Sequence, residues 1–333
     1  MRRRATILDV AEAAGVSVST VSKAVNGRYG IAVETVERVL QVARDLGYES
    51  SLVASSMRSR KTGVIGVLVA DFEPFSAEIL KGVGSALSGS RYDLLAYSGS
   101  NQLSSEGWER RSLSRLSGTL IDGAIMVTPT VVNVTADVPI VAVDPHTGRA
   151  DLPTVEADNL GGARDATRFL MGLGHRRIGF VAGRPDLRSA MAREAGYRRA
   201  LSEGGLPFDQ SLVEVGNYDP EYARKAAHRL LNRPDRPTAV FAANDLSAIV
   251  VIAVARELGI QVPGELSVVG FDDIPEAARH GLPLTTVHQP MSRMGASAAA
   301  LVVALMNGET PETTQLKMPT RLIVRTTTAP PAA

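Results

Sequence analysis

Four short apolar runs of the sequence end in side chains that could bind a polar ligand. These side chains are the carboxylates and amides of Asp71, Asp144, Asn244, Asp245, Asp272 and Asp273. In open α/β sheets, ligands bind at the carboxyl ends of the strands, so oxygen-rich groups gathered there indicate a ligand with hydroxyl groups. Each group alone could instead cap the helix that follows its strand. Because four runs show the same pattern, we favour a binding site.

The sequence shows no reaction centre of a familiar kind. Lys81-Gly82-Val83-Gly84 lacks the third glycine of a dinucleotide fingerprint and lies inside an amphipathic helical stretch. There is no phosphate-loop motif, no Gly-x-Ser-x-Gly elbow, no cysteine and no metal-ligand spacing among the five histidines. We therefore expect neither an enzyme nor a bound metal or cofactor. A sugar-binding or sugar-processing α/β protein with an unrelated helical head is the alternative.

The apolar runs that carry the polar groups alternate with helical stretches from Thr62 onward, as a doubly wound α/β fold requires. The strands predicted for a first lobe are Val64–Val69, Tyr92–Tyr97, Ala124–Val127 and Ile140–Val143. Those predicted for a second lobe are Arg177–Ala182, Leu212–Val215, Ala239–Ala242 and Leu266–Gly270. The sequence thus predicts a core of two α/β lobes.

The first sixty residues have the pattern of three short helices. Thr6 can cap the first helix with Asp9 as its capping-box partner, and Gly15 can end it. The apolar face predicted for this helix is Ile7, Val10, Ala11 and Ala14. The second helix, from Ser17, is predicted to bury Val21, Ala24 and Val25 and to expose Val18, Ser19, Ser22, Lys23 and Asn26. The third, from about Val33 to Leu46, is predicted to bury Val36, Val39, Leu40, Ala43 and Leu46, with Tyr48 closing the core.

Two helices that cross at a tight glycine turn predict a helix-turn-helix unit, although the spacing alone also fits any small helical bundle. The charge distribution favours the first interpretation. Up to Lys61 there are ten Lys and Arg residues against six Asp and Glu, a net charge of +4, whereas the remainder has 26 against 29, a net charge of −3. A basic head on a slightly acidic body is what a phosphate-binding module on a separate core would show.

The composition is that of a soluble globular protein, with 44% hydrophobic and 21% charged residues. No apolar run reaches the length of a membrane span, and the first residues lack the apolar stretch of a secretion signal. We expect a cytoplasmic protein without membrane contact.

The segment from Thr6 to Asn26 closely resembles the head of the LacI/GalR family of bacterial regulators, and the match continues to Tyr48. Five core segments also look like family signatures: Gly174–Phe180, Arg193–Tyr197, Ala243–Asp245, Val269–Asp273 and Pro283–Pro290. The resemblance implies a helix-turn-helix head and a periplasmic-binding-protein-like core with an effector between its lobes. It implies a sequence-specific transcriptional regulator, and we expect a repressor that acts by blocking polymerase.

For the head, the resemblance implies that Val18, Ser19 and Lys23 meet base edges in the major groove. It implies phosphate contacts for Thr6, Ser17, Ser22 and Asn26. Chemically, Lys23 can donate to guanine acceptors, Ser19 can donate or accept, and Val18 can make only apolar contact, such as with a thymine methyl group.

The family also has a hinge that becomes helical on operator DNA, and here it corresponds to residues 50–61. Met57 stands where the family usually has a leucine that enters the minor groove. Methionine is long and apolar enough for this wedge but more flexible than leucine. An ordinary serine-rich linker fits the composition as well.

For the core, the resemblance implies that seven residues form the effector site: Asp71, Phe75, Asp144, Arg193, Tyr218, Asn244 and Asp272. A guanidinium fork at Arg193 would suit vicinal hydroxyl groups, with Asp272 as the opposing acceptor and Tyr218 as an aromatic wall. Where many members have paired aromatic residues, this chain has Phe75 followed by Ser76. One stacking surface is therefore missing, which favours a sugar or polyol over a purine.

We therefore predict a helix-turn-helix domain over residues 1–49, a hinge over 50–61 and a core over 62–333. The first lobe is expected to take about 62–160 and 285–310, and the second about 161–284 and 311–328. Because no heptad-patterned helix follows Arg325, we expect a homodimer on a near-palindromic operator, in which effector binding rotates one lobe against the other.

Overall fold

The computed structural model describes residues 5–25, 30–48, 61–99, 107–130, 136–145, 152–279, 281 and 283–332. The chain divides into two compact units, a small N-terminal head and a larger core. Asn26, Met57 and almost all of the predicted hinge lie outside the described residues, so their predicted roles are untested.

The head contains the three predicted helices: α1 (Ile7–Ala14), α2 (Val18–Val25) and α3 (Val33–Asp45). The predicted capping box of α1 is confirmed, because Asp9 Oδ2 accepts from the Thr6 backbone N–H at 2.6 Å and Thr6 Oγ1 accepts from the Asp9 N–H at 3.4 Å. The helix ends at Gly15, whose φ of 64° is readily adopted only by glycine. Both turn signals of the sequence are therefore satisfied.

The three helices bury one small apolar core, formed by Val10, Ala11, Ala14, Val21, Ala24, Val39 and Ala43. The predicted burial of Leu46 is wrong, and the predicted exposure of Val18 holds only in part. Val18 packs against this core because it lies one turn before Val21 on the same face of α2. Leu46 is 42% exposed because it follows the end of α3, whereas Tyr48 packs against the core as predicted.

The core consists of two six-stranded sheets. The first has the order β11-β5-β4-β3-β1-β2, with β1 (Val64–Val69), β2 (Asp93–Ser98), β3 (Gly123–Val127), β4 (Ile140–Val143), β5 (Thr154–Ala157) and β11 (Gln315–Met318). The second has the order β12-β10-β9-β8-β6-β7, with β6 (Ile178–Ala182), β7 (Val213–Val215), β8 (Ala239–Ala242), β9 (Ser267–Asp272), β10 (Thr285–His288) and β12 (Arg321–Ile323). All recorded pairings are parallel except that of β10 with β12.

Helices cover these sheets, as the prediction of two doubly wound lobes requires. They are α4 (Pro74–Leu87), α5 (Trp108–Leu116), α6 (Asn159–Gly172), α7 (Arg188–Glu203), α8 (Pro220–Leu231), α9 (Asp245–Glu257), α10 (Pro275–Arg279) and α11 (Met291–Met306). The eight predicted strands are confirmed with small shifts at their ends, whereas β5, β10, β11 and β12 were not predicted. None of the helices within the described ranges is long and apolar enough to cross a membrane.

The predicted lobe boundaries at residues 285 and 311 are wrong. β10 pairs with β9 and therefore belongs to the second lobe, and β11 pairs with β5 and belongs to the first. Pairing of this kind joins segments far apart in sequence, so no local pattern specifies it. The chain consequently crosses between the lobes three times: at Asp158, at Gln289–Pro290 and at Pro319–Thr320.

Two helices of the first lobe, α4 and α11, approach each other through glycines. A Cβ atom at Gly82 would overlap the Ser292 carbonyl oxygen, and one at Gly295 would overlap the Ile79 carbonyl oxygen. Gly84 lies in the same helix as Gly82 but has no atom within 4 Å of its Cβ direction. Gly82 is therefore a packing residue, in agreement with its exclusion as part of a nucleotide-binding motif.

We expect Gly82→Ala to destabilise the core by about 1–3 kcal/mol, because the added methyl group would force two helices apart. Gly84→Ala is the matched control, and it should be neutral or stabilising by up to about 1 kcal/mol, since alanine favours an exposed helix position. Urea denaturation of both variants measures the difference. Equal effects of the two substitutions would contradict the packing role of Gly82.

Candidate functional site

A cavity of about 380 Å³ lies between the two lobes, where strands of both sheets end. All seven residues that the sequence analysis assigned to an effector line it: Asp71, Phe75, Asp144, Arg193, Tyr218, Asn244 and Asp272. Among the described residues, six that are not glycine have positive φ, and five of these line the cavity: Thr128, Asp144, Asn217, Tyr218 and Asp272. Backbone strain of this kind is concentrated at functional sites.

The most deeply buried charge in the cavity wall is the Arg193 guanidinium, which is 3% exposed. Its Nε donates to Asn159 Oδ1 at 2.9 Å, and its Nη1 donates to the Ala243 carbonyl oxygen and lies 3.3 Å from Asp272 Oδ1. Its plane also lies over the Phe271 ring, with 3.9 Å between Cζ and the ring centroid. None of these bonds uses Nη2, which leaves donors for a ligand.

Gln289 is a second partner of the Asp272 carboxyl group. Asp272 Oδ1 accepts from Gln289 Nε2 at 2.7 Å, and the Gln289 backbone N–H donates to the Asp272 carbonyl oxygen at 3.1 Å. Gln289 stands at the second crossing between the lobes. The carboxyl that faces the cavity is therefore tied directly to a connecting segment.

A parallel arrangement joins Asp144 of the first lobe to the second lobe. Asn159, at the start of α6 and next to the first crossing, donates from Nδ2 to Asp144 Oδ1 at 3.1 Å. The same amide accepts from Arg193 through Oδ1. One buried asparagine thus links a carboxylate of one lobe to the guanidinium of the other.

Burial governs the acidity of the carboxyl groups at this site. It raises the pKa of Asp272 to about 7, an effect that the Arg193 charge and the Gln289 hydrogen bond oppose and that the Glu73 and Asp144 carboxylates reinforce. Burial also raises the pKa of Asp144, again opposed by Arg193. The charge of Arg193 therefore does not fully offset the effect of burial on the pKa values of these carboxyl groups.

Tyr218 forms an aromatic wall of the cavity, and its ring packs closely on Gly183, where a Cβ atom would overlap the ring. Its hydroxyl oxygen is buried without a hydrogen bond of normal geometry, and the Ser189 side chain is its polar neighbour. Phe75 lines the same cavity from the first lobe and also packs against the lobe's apolar core.

The strand-end residues differ in whether they cap a helix, line the cavity or do both. Asn244 lines the cavity and also caps α9, where its side chain accepts from the Ser247 N–H at 3.0 Å. Asp71 is an exposed residue at the cavity. Asp245 and Asp273 have structural partners instead.

Asp245 is fully buried and accepts from Thr286 Oγ1 at 2.5 Å and from the Ile274 N–H at 2.9 Å. Asp273 accepts from Arg325 Nη2 at 2.6 Å and contacts His288 Nδ1 at 3.0 Å. Both carboxylates therefore hold β9 and its following loop against β10 and the C-terminal segment.

The sequence analysis did not assign three residues to the site: Glu73, Asn159 and Gln289. Glu73 precedes a proline just after a strand, which is a helix-start signal that could have marked it. Asn159 follows a strand that was not predicted, and Gln289 lies in the signature Pro283–Pro290 without an assigned role. Their importance depends on the crossings between the lobes, which no local pattern reveals.

In the head, α2 presents an exposed polar face. Ser17 Oγ accepts from the Thr20 N–H at 3.1 Å and lies 3.0 Å from Ser19 Oγ, so Ser17 caps this helix. Ser19 and Lys23 are exposed one turn apart on the same face. Thr6 and Ser22 are partly buried, as is Val18. The predicted base-reading set thus contains two exposed residues and one that also packs in the core of the head.

A helix-turn-helix head and a two-lobed α/β core with a cavity between its lobes define a class of ligand-controlled DNA-binding regulators. Comparisons with known proteins agree with this class. Residues 6–51 match the family described as bacterial regulatory proteins of the lacI family, and residues 167–328 match the periplasmic binding protein-like domain.

The chain is 34% identical to the HTH-type transcriptional regulator CelR of Thermobifida fusca, over 97% of this chain and 98% of that protein. A solved CelR–cellobiose complex shares 33% identity with it, at a TM-score of 0.74, over 97% of this chain and 100% of that one. A lac repressor dimer bound to operator and the anti-inducer ONPF shares the fold, with 24% identity and a TM-score of 0.83 over 98% of this chain and 100% of that one. The protein belongs to the LacI family of bacterial transcriptional regulators.

The raised pKa of Asp272 predicts a specific pH dependence of stability. The folded protein keeps this proton up to about pH 7, whereas the unfolded chain releases it near the ordinary value of 3.8, so stability falls as pH rises between these values. Asp272→Asn removes this contribution. The melting temperature of the variant relative to wild type should therefore increase from about pH 5 to about pH 8.

Thermal denaturation across this range tests the prediction, with Asp219→Asn as the control. Asp219 is an exposed residue of the same cavity and caps α8, a role that asparagine can also fill. A difference between Asp272→Asn and wild type that is the same at every pH would contradict the assignment.

Proposed function

We propose that this protein is a repressor whose affinity for operator DNA is controlled by a sugar or polyol bound between the core lobes. The observation that carries the proposal is the buried Arg193 guanidinium with unused Nη2 donors in a cavity lined by Asp144 and Asp272. A relative with 33% identity has been solved with cellobiose. We expect no turnover of the bound ligand.

The groups around the cavity match the needs of a hydroxylated ring. Arg193 Nη2 can donate to ligand oxygens, and the carboxyl oxygens of Asp144 and Asp272 can accept from ligand hydroxyl groups. The Tyr218 ring can cover an apolar face of the ligand, and its buried hydroxyl can take a ligand hydroxyl as a partner. Asp71, Phe75 and Asn244 complete the proposed contact set.

The proposed response to the ligand follows from where Asn159 and Gln289 lie. Each is hydrogen-bonded to a cavity carboxyl and stands next to a crossing between the lobes. A ligand that replaces hydrogen bonds of Arg193 and Asp272 would alter the bonds that hold Asn159 and Gln289 at these crossings. The lobes could then rotate relative to each other. The coupling between ligand and operator is expected to be about 1–3 kcal/mol.

For the head, we propose that α2 enters the major groove with Lys23, Ser19 and Val18 toward base edges. Thr6 and Ser17 begin α1 and α2, where the helix N-terminus favours phosphate. Ser22 and Asn26 are proposed as further phosphate contacts, and Met57 as the minor-groove wedge. A related lac repressor was solved as a dimer on operator, which supports a homodimer on a near-palindromic site.

Lys23→Ala should reduce the preference for the operator over random DNA by about 1–3 kcal/mol per half-site, because a donor to a base edge is lost. The operator is first selected from a random duplex library with the wild-type protein. Fluorescence anisotropy then measures binding of each variant to the selected and scrambled duplexes. Arg44→Ala, which removes an exposed cation of α3, is the control. Unchanged discrimination in Lys23→Ala would remove this residue from the base-reading set.

Arg193→Ala should abolish the effect of the effector on operator binding while operator binding itself persists, because the proposed clamp is absent. The effector is identified by a thermal-shift screen of sugars, polyols and nucleosides, since a ligand of the native state raises its stability. Arg198→Ala is the matched control on the same helix, where Arg198 is exposed and paired with Glu194. Tyr218→Phe, which removes one hydroxyl, should weaken the response without loss of fold. A normal response in Arg193→Ala would refute this site.

A further inference from the structure

We propose that the cavity between the lobes accepts uncharged hydroxylated ligands and rejects their phosphorylated or carboxylated counterparts, with Glu73 as the first-lobe residue that sets this selectivity. The inference rests on the proposed function, because it concerns the ligand of the same site. It goes further by naming the charge of that ligand and a residue that controls it.

The first observation is the charge of the cavity wall. Its lining residues include five carboxyl groups and two guanidinium groups: Asp71, Glu73, Asp144, Asp219 and Asp272 against Arg184 and Arg193. Arg184 is exposed and held by Asp186, with 2.6 Å between Nη2 and Oδ2. Arg193 is already bound to Asp272 and two neutral acceptors. Acidic groups therefore outnumber basic ones, and burial raises the pKa values of Glu73, Asp144 and Asp272, so the site already disfavours negative charge and would disfavour an anionic ligand in the same way.

The second observation concerns the helix ends that could otherwise hold a phosphate. Among the helices of at least eight residues, four begin at or next to lining residues, and three of these have first N–H groups that are occupied by a side chain of this protein. Glu73 caps α4, Asp219 caps α8 and Asn244 caps α9. The fourth, α7, begins after Leu187 without a side-chain cap. Most of the donors that bind anions at helix N-termini are therefore already satisfied.

Glu73 combines both effects. Its Oε2 accepts from the Phe75 N–H at 2.7 Å, and its Oε1 accepts from the Ser76 N–H at 2.8 Å and from Ser76 Oγ at 2.6 Å. These three bonds hold a carboxylate at the cavity wall. Its charge also acts across the cavity, since it adds to the burial that raises the pKa of Asp272 in the opposite lobe.

A hydroxylated neutral ligand fits these constraints. The unused donors of Arg193 and the buried Tyr218 hydroxyl remain available to it, and carboxyl groups accept hydroxyl protons without any change in net charge. A phosphate or carboxylate would need at least one cation free of acidic partners. Selection against anions therefore requires no additional steric element.

The first test compares how tightly the wild-type protein binds the neutral and the anionic member of three matched pairs. The pairs are glucose and glucose 6-phosphate, ribose and ribose 5-phosphate, and cellobiose and cellobionate. Thermal shift and isothermal titration calorimetry measure binding. We expect at least one neutral compound to bind and its anionic partner to bind at least about tenfold more weakly. Equal or tighter binding of the anionic partner would overturn the selectivity.

The second test replaces the charge of Glu73 while keeping its shape. Glu73→Gln retains a side-chain acceptor for the α4 cap, and it should narrow the gap between neutral and anionic partners by about tenfold. Glu78→Gln on the same helix is the matched control, because Glu78 pairs with the exposed Lys81 and does not line this cavity. An unchanged gap in Glu73→Gln would remove Glu73 from the proposal.

A ligand-free measurement completes the design. Carbon-13 NMR of aspartate-labelled full-length protein, with Asp272→Asn to assign the signal, follows the titration of Asp272. Its pKa should fall in Glu73→Gln and stay unchanged in Glu78→Gln, and no change in either would contradict the charge effect across the cavity.

If no sugar of either class binds, the sugar effector fails together with this inference. If an anionic sugar binds and alters operator affinity, the proposed function stands and only the selectivity fails.

Discussion

The rest of the core depends on how the buried Arg193 guanidinium is satisfied. A guanidinium that is 3% exposed would be very costly without partners, so the fold must supply acceptors from several elements at one point. They come from the start of α6 at Asn159, the end of β8 at Ala243 and the end of β9 at Asp272. The guanidinium also lies over the face of the Phe271 ring. The requirement to pair one charge thus fixes the relative positions of three strand and helix ends.

The same requirement explains why the site extends across both lobes. Asn159 shares its amide between Arg193 and Asp144, and Gln289 holds Asp272 from the second crossing. Two polar side chains near the crossings are therefore bonded directly to carboxyl groups of the cavity. In a LacI-family regulator, where a ligand in the core alters DNA binding, this is where a change of bonding can alter the geometry of the lobes. The strained φ angles of Asp144, Tyr218 and Asp272 are tolerated because the network around them determines their positions.

Much of this architecture could be predicted from local sequence, for reasons that particular elements show. The capping box of Thr6 and Asp9, the glycine at the end of α1 and the buried runs such as Val64–Val69 depend on neighbours a few residues away. The seven predicted cavity residues were located by their place in motifs, and the fold does gather them around one cavity. The lobe assignment of β10 and β11 failed, because short strands take their identity from the distant partners with which they pair.

By itself, the sequence determined the two kinds of domain, most of the strands, the helix caps of the head and the family. These properties follow from local backbone preferences and from the periodicity of apolar residues. Only the tertiary structure decided that Asp245 and Asp273 are structural while Asp272 lines the cavity, that Glu73 faces the same cavity, and that Asn159 and Gln289 join its carboxyl groups to the crossings. The physical reason is that the solvation and the partners of a charged side chain depend on which distant segments enclose it.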